Sequence, residues 1–365
     1  MTRRVVVTGV GVVTPVGLNV TDTWGALIEG RSGVAPVTAV DADIYSSKVA
    51  AEVKGFDPED YLDKKEAKRM SRFVQLAVVA ARQAIEDAEL DLEGVNADRS
   101  GTIIGVGIGD IVLIEKAAIR YHERGPKGIS PFFIPMVIAD MASGQVSIIF
   151  NLKGPNFCTT SACSSGTHAI GDSFNHIREG RTEVMVCGGA EAAIGNLGFG
   201  GFCSMRALST RECPPEEASC PFDAHRDGFI MGEGSGILVL EELEHARRRG
   251  AGIYCELVGY GVTADAYHIT APAPEGEGAA RAMKMAIKDA GIEPGMVSYI
   301  NAHGTSTELN DKNESAAIRN VFGKHAYEIP VSSSKSMLGH GLGAAGGMEG
   351  VVCSMSIRAN ASPMK

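Results

Sequence analysis

Cys163 lies in "GPNFCTTSACSSGTHAIGDSFNHI", where a β-rich run gives way to a helix-like one at the cysteine. A cysteine at a strand-to-helix turn meets the first unpaired N–H groups of the helix and the positive end of its dipole. Both favour a thiolate and predict a lowered thiol pKa. Its own N–H can also face a developing oxyanion. The alternative is a small cysteine buried in a core, a common environment for this residue. Two histidines favour chemistry. "YINAHGTST" puts His303 just beyond a β-run, and "KSMLGHGLGAAGGMEG" puts His340 in a glycine-rich turn leading into a helix. Both are predicted in loops at the ends of β/α units, where sites gather in such folds. One cysteine with two histidines and no aspartate in a triad pattern is an odd set for a hydrolase. It suits neutral imidazoles that donate to a carbonyl or enolate oxygen and assist loss of CO2.

The elements that must position these residues occur twice. "AVVAARQAIEDAEL" followed by "RSGTIIGVGIGD" is answered by "GAARAMKMAIKDAGI" followed by "VSYINAHGT". Each pair reads as an amphipathic helix with alanines at close-packing positions, a polar turn and a β-run. The opening "VVVTGVGVVTPVG" is likewise echoed by "CELVGYGVTADAYH", and "SACSSGTHAIGDSFNHI" by "SSSKSMLGHGLGAAGGMEGVV". The last two are small-residue turns entering helices that must be buried. A duplicated α/β unit is predicted, with halves at 1–250 and 251–365.

Bulk properties bound the function. With 365 residues, 44% of them hydrophobic, the chain can bury a large core. A net charge of −10 argues against nucleic acid or an anionic membrane surface as the main partner. Eight cysteines without a C-x-x-C spacing predict reduced thiols, not disulfides or a metal site. The apolar stretch "PFFIPMVIADMASGQVSIIF" is broken by Asp140 and Gln145. No run reaches membrane-spanning length, and a soluble cytoplasmic protein is expected.

"SACSSG", "NAHGTST", "SSSKSMLGHGLGAAGG" and "ALST…CPFDAHRDGFIMGEGSGILVLEE" resemble, in order and spacing, the motifs of the β-ketoacyl-[acyl-carrier-protein] synthases of the type II kind, and the similarity runs from residue 1 to 365. The resemblance implies the thiolase fold, two duplicated βαβαβαββ-type halves in a layered α/β/α/β/α arrangement. It implies that Cys163 accepts the acyl group, and that His303 and His340 bind the malonyl thioester carbonyl and promote decarboxylation. Lys335 and Glu349 match charged residues around those histidines, with an electrostatic and structural role. The reaction implied is a decarboxylative Claisen condensation in fatty acid elongation, with no cofactor and no metal.

The resemblance also carries a pocket and partners. Ile108 and Phe202 match positions lining the acyl channel, and "SPFFIPMVIADM", with Phe133 and Ile134, resembles the region where each subunit closes its neighbour's tunnel. A homodimer is therefore expected. "YLDKKEAKRMSR" gathers Lys64, Lys65, Lys68, Arg69 and Arg72 in an otherwise acidic chain. A solvated face is the plain reading of such a run. By resemblance, Lys65, Lys68, Arg69, Lys127 and Arg206 receive the acidic acyl carrier protein. The chain stops at "SIRANASPMK", whereas family members continue with a strand-rich segment and a glycine-rich loop, so a fragment of a longer enzyme is expected, with an impaired natural protein as the alternative. "TELNDKNE" after His303 departs from the family's Pro-x-Gly-Asp, and Gly341 follows His340. A thiolase would need a second, C-terminal cysteine as base, and Cys353 in an apolar helical run looks structural. A polyketide or other specialised ketosynthase stays open, as does a non-catalytic chain-length-factor-like partner, although such partners lack the nucleophile.

Overall fold

The computed structural model describes residues 2–363. The valine-rich run at the start forms strand β1 (Val5–Val13), every residue of which is buried, as expected for a strand covered on both faces. It joins β2 (Ser100–Gly105), β3 (Asn156–Phe157), β4 (Val184–Glu191), β5 (Gly234–Glu242) and β6 (Cys255–Leu257) in one sheet, ordered β3-β2-β4-β5-β1-β6. The pairs β2–β3 and β2–β4 are parallel; β4–β5, β5–β1 and β1–β6 are antiparallel.

Seven helices matter for the site: α1 (Arg72–Asp87), α2 (Ile111–Arg124), α3 (Ser165–Arg178), α4 (Asn196–Ser204), α5 (Glu277–Ala290), α6 (Glu308–Phe322) and α7 (Ala345–Ala359). The strand period of two sorts side chains between the faces. Ile104, Val186, Ile237 and Val239 face α1, whereas Ile103, Met185, Leu238 and Leu240 face α3 and α7. A second, two-stranded parallel sheet pairs β7 (Ile300–Asn301) with β8 (Val331–Ser332). Its Ile300 and Val331 pack with Ile318 and Phe322 of α6 and with Met283 and Ile287 of α5. These are the mixed sheets and covering helices of the layered thiolase fold.

The internal echo is physical. A Cβ on Gly9 would fall 2.1 Å from the Ala84 carbonyl oxygen, and one on Gly11 2.0 Å from that of Ala80. On the other copy, Gly259 would meet the Ala286 oxygen at 2.5 Å and Gly261 the Ala282 oxygen at 2.0 Å. In both places a Gly-x-Gly run lies against an alanine ridge spaced by four, so both partners need to be small. The two small-residue turns match as well. Ala162 (φ 52°) and Leu342 (φ 49°) each open a short 3₁₀ turn that runs into α3 or α7.

The copies are unequal. The second half does not build a full βαβαβαββ unit: β7 and β8 are two residues each, and β6 attaches to β1 of the first sheet. In the first sheet, two strands separate β1 from β2. Among the described residues no strands occupy the corresponding place between β6 and β7.

Candidate active site

The run expected as a strand up to Cys163 leaves the sheet at Phe157, after which one further bond, Val106 N–H to the Thr159 carbonyl at 3.1 Å, keeps it beside β2. Cys163 then sits in the 3₁₀ turn Ala162–Ser164 directly ahead of α3. The left-handed backbone at Ala162 costs about 1 kcal/mol or more for a residue with a Cβ. The buried Ser165 hydroxyl holds it there, accepting from Ser161 N–H at 2.9 Å and donating to the Ala162 carbonyl at 2.7 Å.

His340 enters from the other copy of the turn. Its backbone is clamped by His340 N–H to the Ile230 carbonyl at 2.7 Å and by Gly232 N–H to the His340 carbonyl at 2.9 Å. The ring is 2% exposed, with Nε2 2.9 Å from Cys163 Sγ. Leu342 N–H donates to Nδ1 at 3.3 Å, which assigns the proton of a neutral ring to Nε2, so that Nε2–H donates toward sulfur. His303 stands across His340, ring centroids 5.4 Å apart and planes at 86°. Its loop is held by Glu314 of α6, whose carboxylate accepts His303 N–H and Gly304 N–H, each at 2.7 Å. The ring faces a cavity of about 410 Å³, lined also by Ser164, Asp265, Asn310 and Asn313. Sγ of Cys163 and a ring nitrogen of each histidine lie within 4.8 Å of one another.

Lys335, 3% exposed, forms an ion pair with Glu349 of α7. Burial pushes the Glu349 carboxyl up, against the pull of Lys335. Burial, with Lys335 as the second cause, holds His303 down at about 3 and His340 well below its ordinary value, so both rings are neutral at physiological pH. The cysteine corrects the sequence expectation: burial pushes the Cys163 thiol up from its ordinary value, with Lys335 pulling the other way. Cys163 does stand just ahead of a helix, but desolvation outweighs the helix terminus.

A further residue was missed. Glu191, at the end of β4, is fully buried, and its Oε2 accepts N–H groups from Gly107 at 2.8 Å, Gly343 at 3.1 Å and Ile108 at 3.2 Å. It ties the loop bearing Ile108 to the turn after His340. Burial pushes it up to about 7. The available signal was a carboxylate closing an otherwise apolar strand.

The remaining positions separate. Phe202 on α4 packs edge-on to Phe229 (5.2 Å between centroids), which in turn meets His340 (5.3 Å), in the cluster that includes Cys163. Ile108 is 40% exposed and Ile134 61% exposed, while Phe133 is partly buried on the outlying segment that follows α2. These last two residues are not brought to Cys163 within one chain. Lys65, Lys68, Arg69, Lys127 and Arg206 are all exposed, and Arg69 stacks over Phe132 at 5.1 Å, joining the basic helix to that segment. Two members of the basic run do other work. Arg72 donates to Glu233 and to the Val53 carbonyl, and Lys64 pairs with Glu59. Cys353 is partly buried in α7 with its thiol pushed up to about 12. All eight cysteines are free. No helix among the described residues is long and apolar enough to cross a membrane.

Comparison with known proteins points to one family. The β-ketoacyl synthase N-terminal domain matches residues 2–246 and the C-terminal domain of the same family matches residues 254–365. A 3-oxoacyl-[acyl-carrier-protein] synthase 2 from Synechocystis is 54% identical over 99% of this chain and 87% of its own length. One from Staphylococcus aureus is 52% identical over 98% of this chain and 86% of its own. Among solved structures, a type II polyketide synthase acyl-carrier protein in complex with its ketosynthase, bound to the hexaketide, superposes with a TM-score of 0.91 at 37% identity, covering 98% of this chain and 87% of that one. The ishigamide ketosynthase/chain length factor gives 0.91 at 35% identity, with the same shares covered. With both domain models matched and relatives above half identity along nearly its whole length, this chain belongs to the β-ketoacyl synthase family.

Proposed function

We propose that the chain works as a 3-oxoacyl-[acyl-carrier-protein] synthase: Cys163 takes an acyl group from its carrier protein, and the acyl-enzyme condenses with malonyl-[acyl-carrier protein] to give β-ketoacyl-[acyl-carrier protein] and CO2. The observation that carries the reading is the approach of His340 Nε2 to Cys163 Sγ at 2.9 Å, with His303 crossing it. In the first stage sulfur forms a bond to the thioester carbonyl as the carrier thiol leaves, taking up the proton that the cysteine loses. The N–H of Cys163, at the mouth of the 3₁₀ turn, faces the oxyanion. Acylation removes the partner of His340 Nε2–H, which then donates with His303 to the malonyl thioester oxygen. Neutral rings donate there without excess positive charge. The carboxylate bond breaks, CO2 leaves, and the electron pair becomes an enolate stabilised by those donors. Its carbon attacks the acyl carbonyl and expels the Cys163 thiolate. Splitting one carbon–carbon bond formation into two steps is the gain from covalent catalysis. Lys335 and Glu349 set the charge around the three reacting groups without themselves transferring protons.

We assign Ile108 and Phe202 to the acyl channel, and Phe133 and Ile134 to a homodimer contact closing the partner subunit's channel. The exposed apolar side chains Ile129, Phe132, Ile134 and Ile138 on the segment after α2, with Ile114 of α2 itself, support that contact. Lys65, Lys68, Arg69, Lys127 and Arg206 would receive the acyl carrier protein by charge complementarity, and the neighbour solved with its carrier protein supports such docking. We keep the division of the chain near residue 250, and a cytoplasmic location, as part of this reading. A fatty acid substrate is favoured over a polyketide because the relatives named as 3-oxoacyl synthases are more similar, at 54% and 52%, than the polyketide ketosynthase at 37%. The test is intact-mass spectrometry of the 365-residue chain after incubation with a long-chain acyl-carrier protein, with Cys163→Ala as control. An adduct absent from the variant is expected; an adduct of equal yield on the variant would overturn the assignment of the nucleophile.

A further inference from the structure

Besides their reaction, the three groups at this site form a ligand set. Cys163 Sγ and one ring nitrogen each of His303 and His340 lie within 4.8 Å of one another, and Sγ is 2.9 Å from His340 Nε2. Tetrahedral zinc with bonds of about 2.3 Å to sulfur and about 2.0–2.1 Å to nitrogen requires its donors roughly 3.3–3.6 Å apart. Sulfur and Nε2 of His340 stand closer than that and all three donors lie within 4.8 Å, so small side-chain rotations would serve to bring them onto one ion. We propose that Cys163, His303 and His340 form an inhibitory site for Zn²⁺, or another thiophilic divalent cation, with the fourth position open to water. The proposal rests on the donor geometry, not on the reaction assigned above.

Two features outside the triad support entry of a cation. The cavity that reaches His303 carries Asp265 and Glu314 on its wall and no lysine or arginine, so its charged lining is wholly acidic. The nearby ammonium of Lys335, which opposes a cation, is paired with Glu349, and Glu314 stands close enough to both to act on them electrostatically. On binding, the sulfur–metal bond forms as the thiol proton leaves to water, and no electron is transferred. A thiolate held by the metal is unavailable to a thioester, and the ion fills the place of the substrate oxygen between the two histidines.

The experiment is a titration of the reduced 365-residue chain with Co²⁺, followed by Zn²⁺. One ion per chain is expected, with intense visible bands of four-coordinate cobalt and a near-ultraviolet thiolate-to-cobalt charge-transfer band that Zn²⁺ abolishes. Cys163→Ser should remove the charge-transfer band, and His303→Asn or His340→Asn should weaken binding at least tenfold. The unaltered chain gives a second readout that needs no variant. Stoichiometric Zn²⁺ should block alkylation of Cys163 by iodoacetamide, scored by peptide mass, and EDTA should restore it. Cobalt binding without a thiolate band, or Cys163 alkylation unaffected by Zn²⁺, would overturn the proposal. Neither readout depends on acyl transfer, so the metal site and the synthase reading stand or fall separately.

Discussion

Replacing Glu191 by glutamine tests whether burial or hydrogen bonding governs that carboxylate. Three backbone donors, on Gly107, Ile108 and Gly343, converge on it, each worth about 1.5–3 kcal/mol to a charged acceptor. Against them stands the cost of desolvating a fully buried anion, several kcal/mol even after relaxation. The balance falls to burial, which lifts the group from 4.5 to about 7. A raised carboxyl means that the folded protein holds a proton between those values that the unfolded chain has already lost. Stability therefore falls as pH rises through that window, by about 3 kcal/mol in all at about 1.36 kcal/mol per pH unit. Glu191→Gln keeps an acceptor for the same donors and never ionises. Urea unfolding at a series of pH values from 5 to 8 should show the two proteins alike at the acid end and the variant more stable by up to about 3 kcal/mol at the alkaline end. Glu191→Ala should lose stability at every pH, because it strands buried N–H groups at about 1–3 kcal/mol each. A glutamine variant that is markedly less stable than the parent at pH 8 would refute the reasoning, since the charge would then be net stabilising.

Removing Lys335 (Lys335→Ala) leaves Glu349 without its partner, a change that typically costs about 3–5 kcal/mol. Because Lys335 draws the Cys163 thiol down, the midpoint of its iodoacetamide alkylation against pH should move upward in that variant; an unmoved midpoint would contradict the assigned electrostatic role. Glu241, fully buried against Arg249, His245 and Thr8, is held down at about 2 from 4.5. A lowered carboxyl stabilises above 4.5 and loses that contribution as pH falls toward 2, about 3 kcal/mol in all, so Arg249→Met should raise the pH midpoint of acid unfolding followed by circular dichroism. Gly11→Val should prevent soluble folding at growth temperature, since even its Cβ would meet the Ala80 carbonyl oxygen at 2.0 Å; recovery of folded protein at parental yield would show that β1 can shift off α1.

How much of this was legible in the sequence depends on whether the signal was local. The Gly-x-Gly runs at Gly9–Gly11 and Gly259–Gly261, with their alanine ridges, announced strand-on-helix contact in both copies because close approach demands small residues in two adjacent pieces of sequence. The turn at Cys163 and the helix after it are legible for the same reason, since Ala162–Ser164 and α3 are contiguous. The reach of the strands was not legible. Phe157 ends β3, and the second copy is reduced to strands of two or three residues, because pairing depends on neighbours that no single segment specifies. Arg72 illustrates the same limit on the surface. It reads as one of five basic residues in a run, yet its guanidinium turns to Glu233, far away in sequence.

The direction of the Cys163 shift is the most instructive departure. A helix N-terminus is a local feature, and from it alone a thiolate follows. The desolvation that overrides it comes from side chains of three separate segments: Phe202 on α4, Phe229, and His340 with Leu342 in the cluster around sulfur. The same burial neutralises the two histidines, so one low-dielectric enclosure both raises the thiol and keeps the two rings uncharged. Lys335 acts on all three in one sense, favouring the thiolate and the uncharged rings. A single ammonium, pinned by Glu349, thus offsets part of what burial does to the cysteine while reinforcing what it does to the histidines. Enclosure and cation therefore act together, and on the roles proposed for these residues altering either should change acylation and decarboxylation in different proportions.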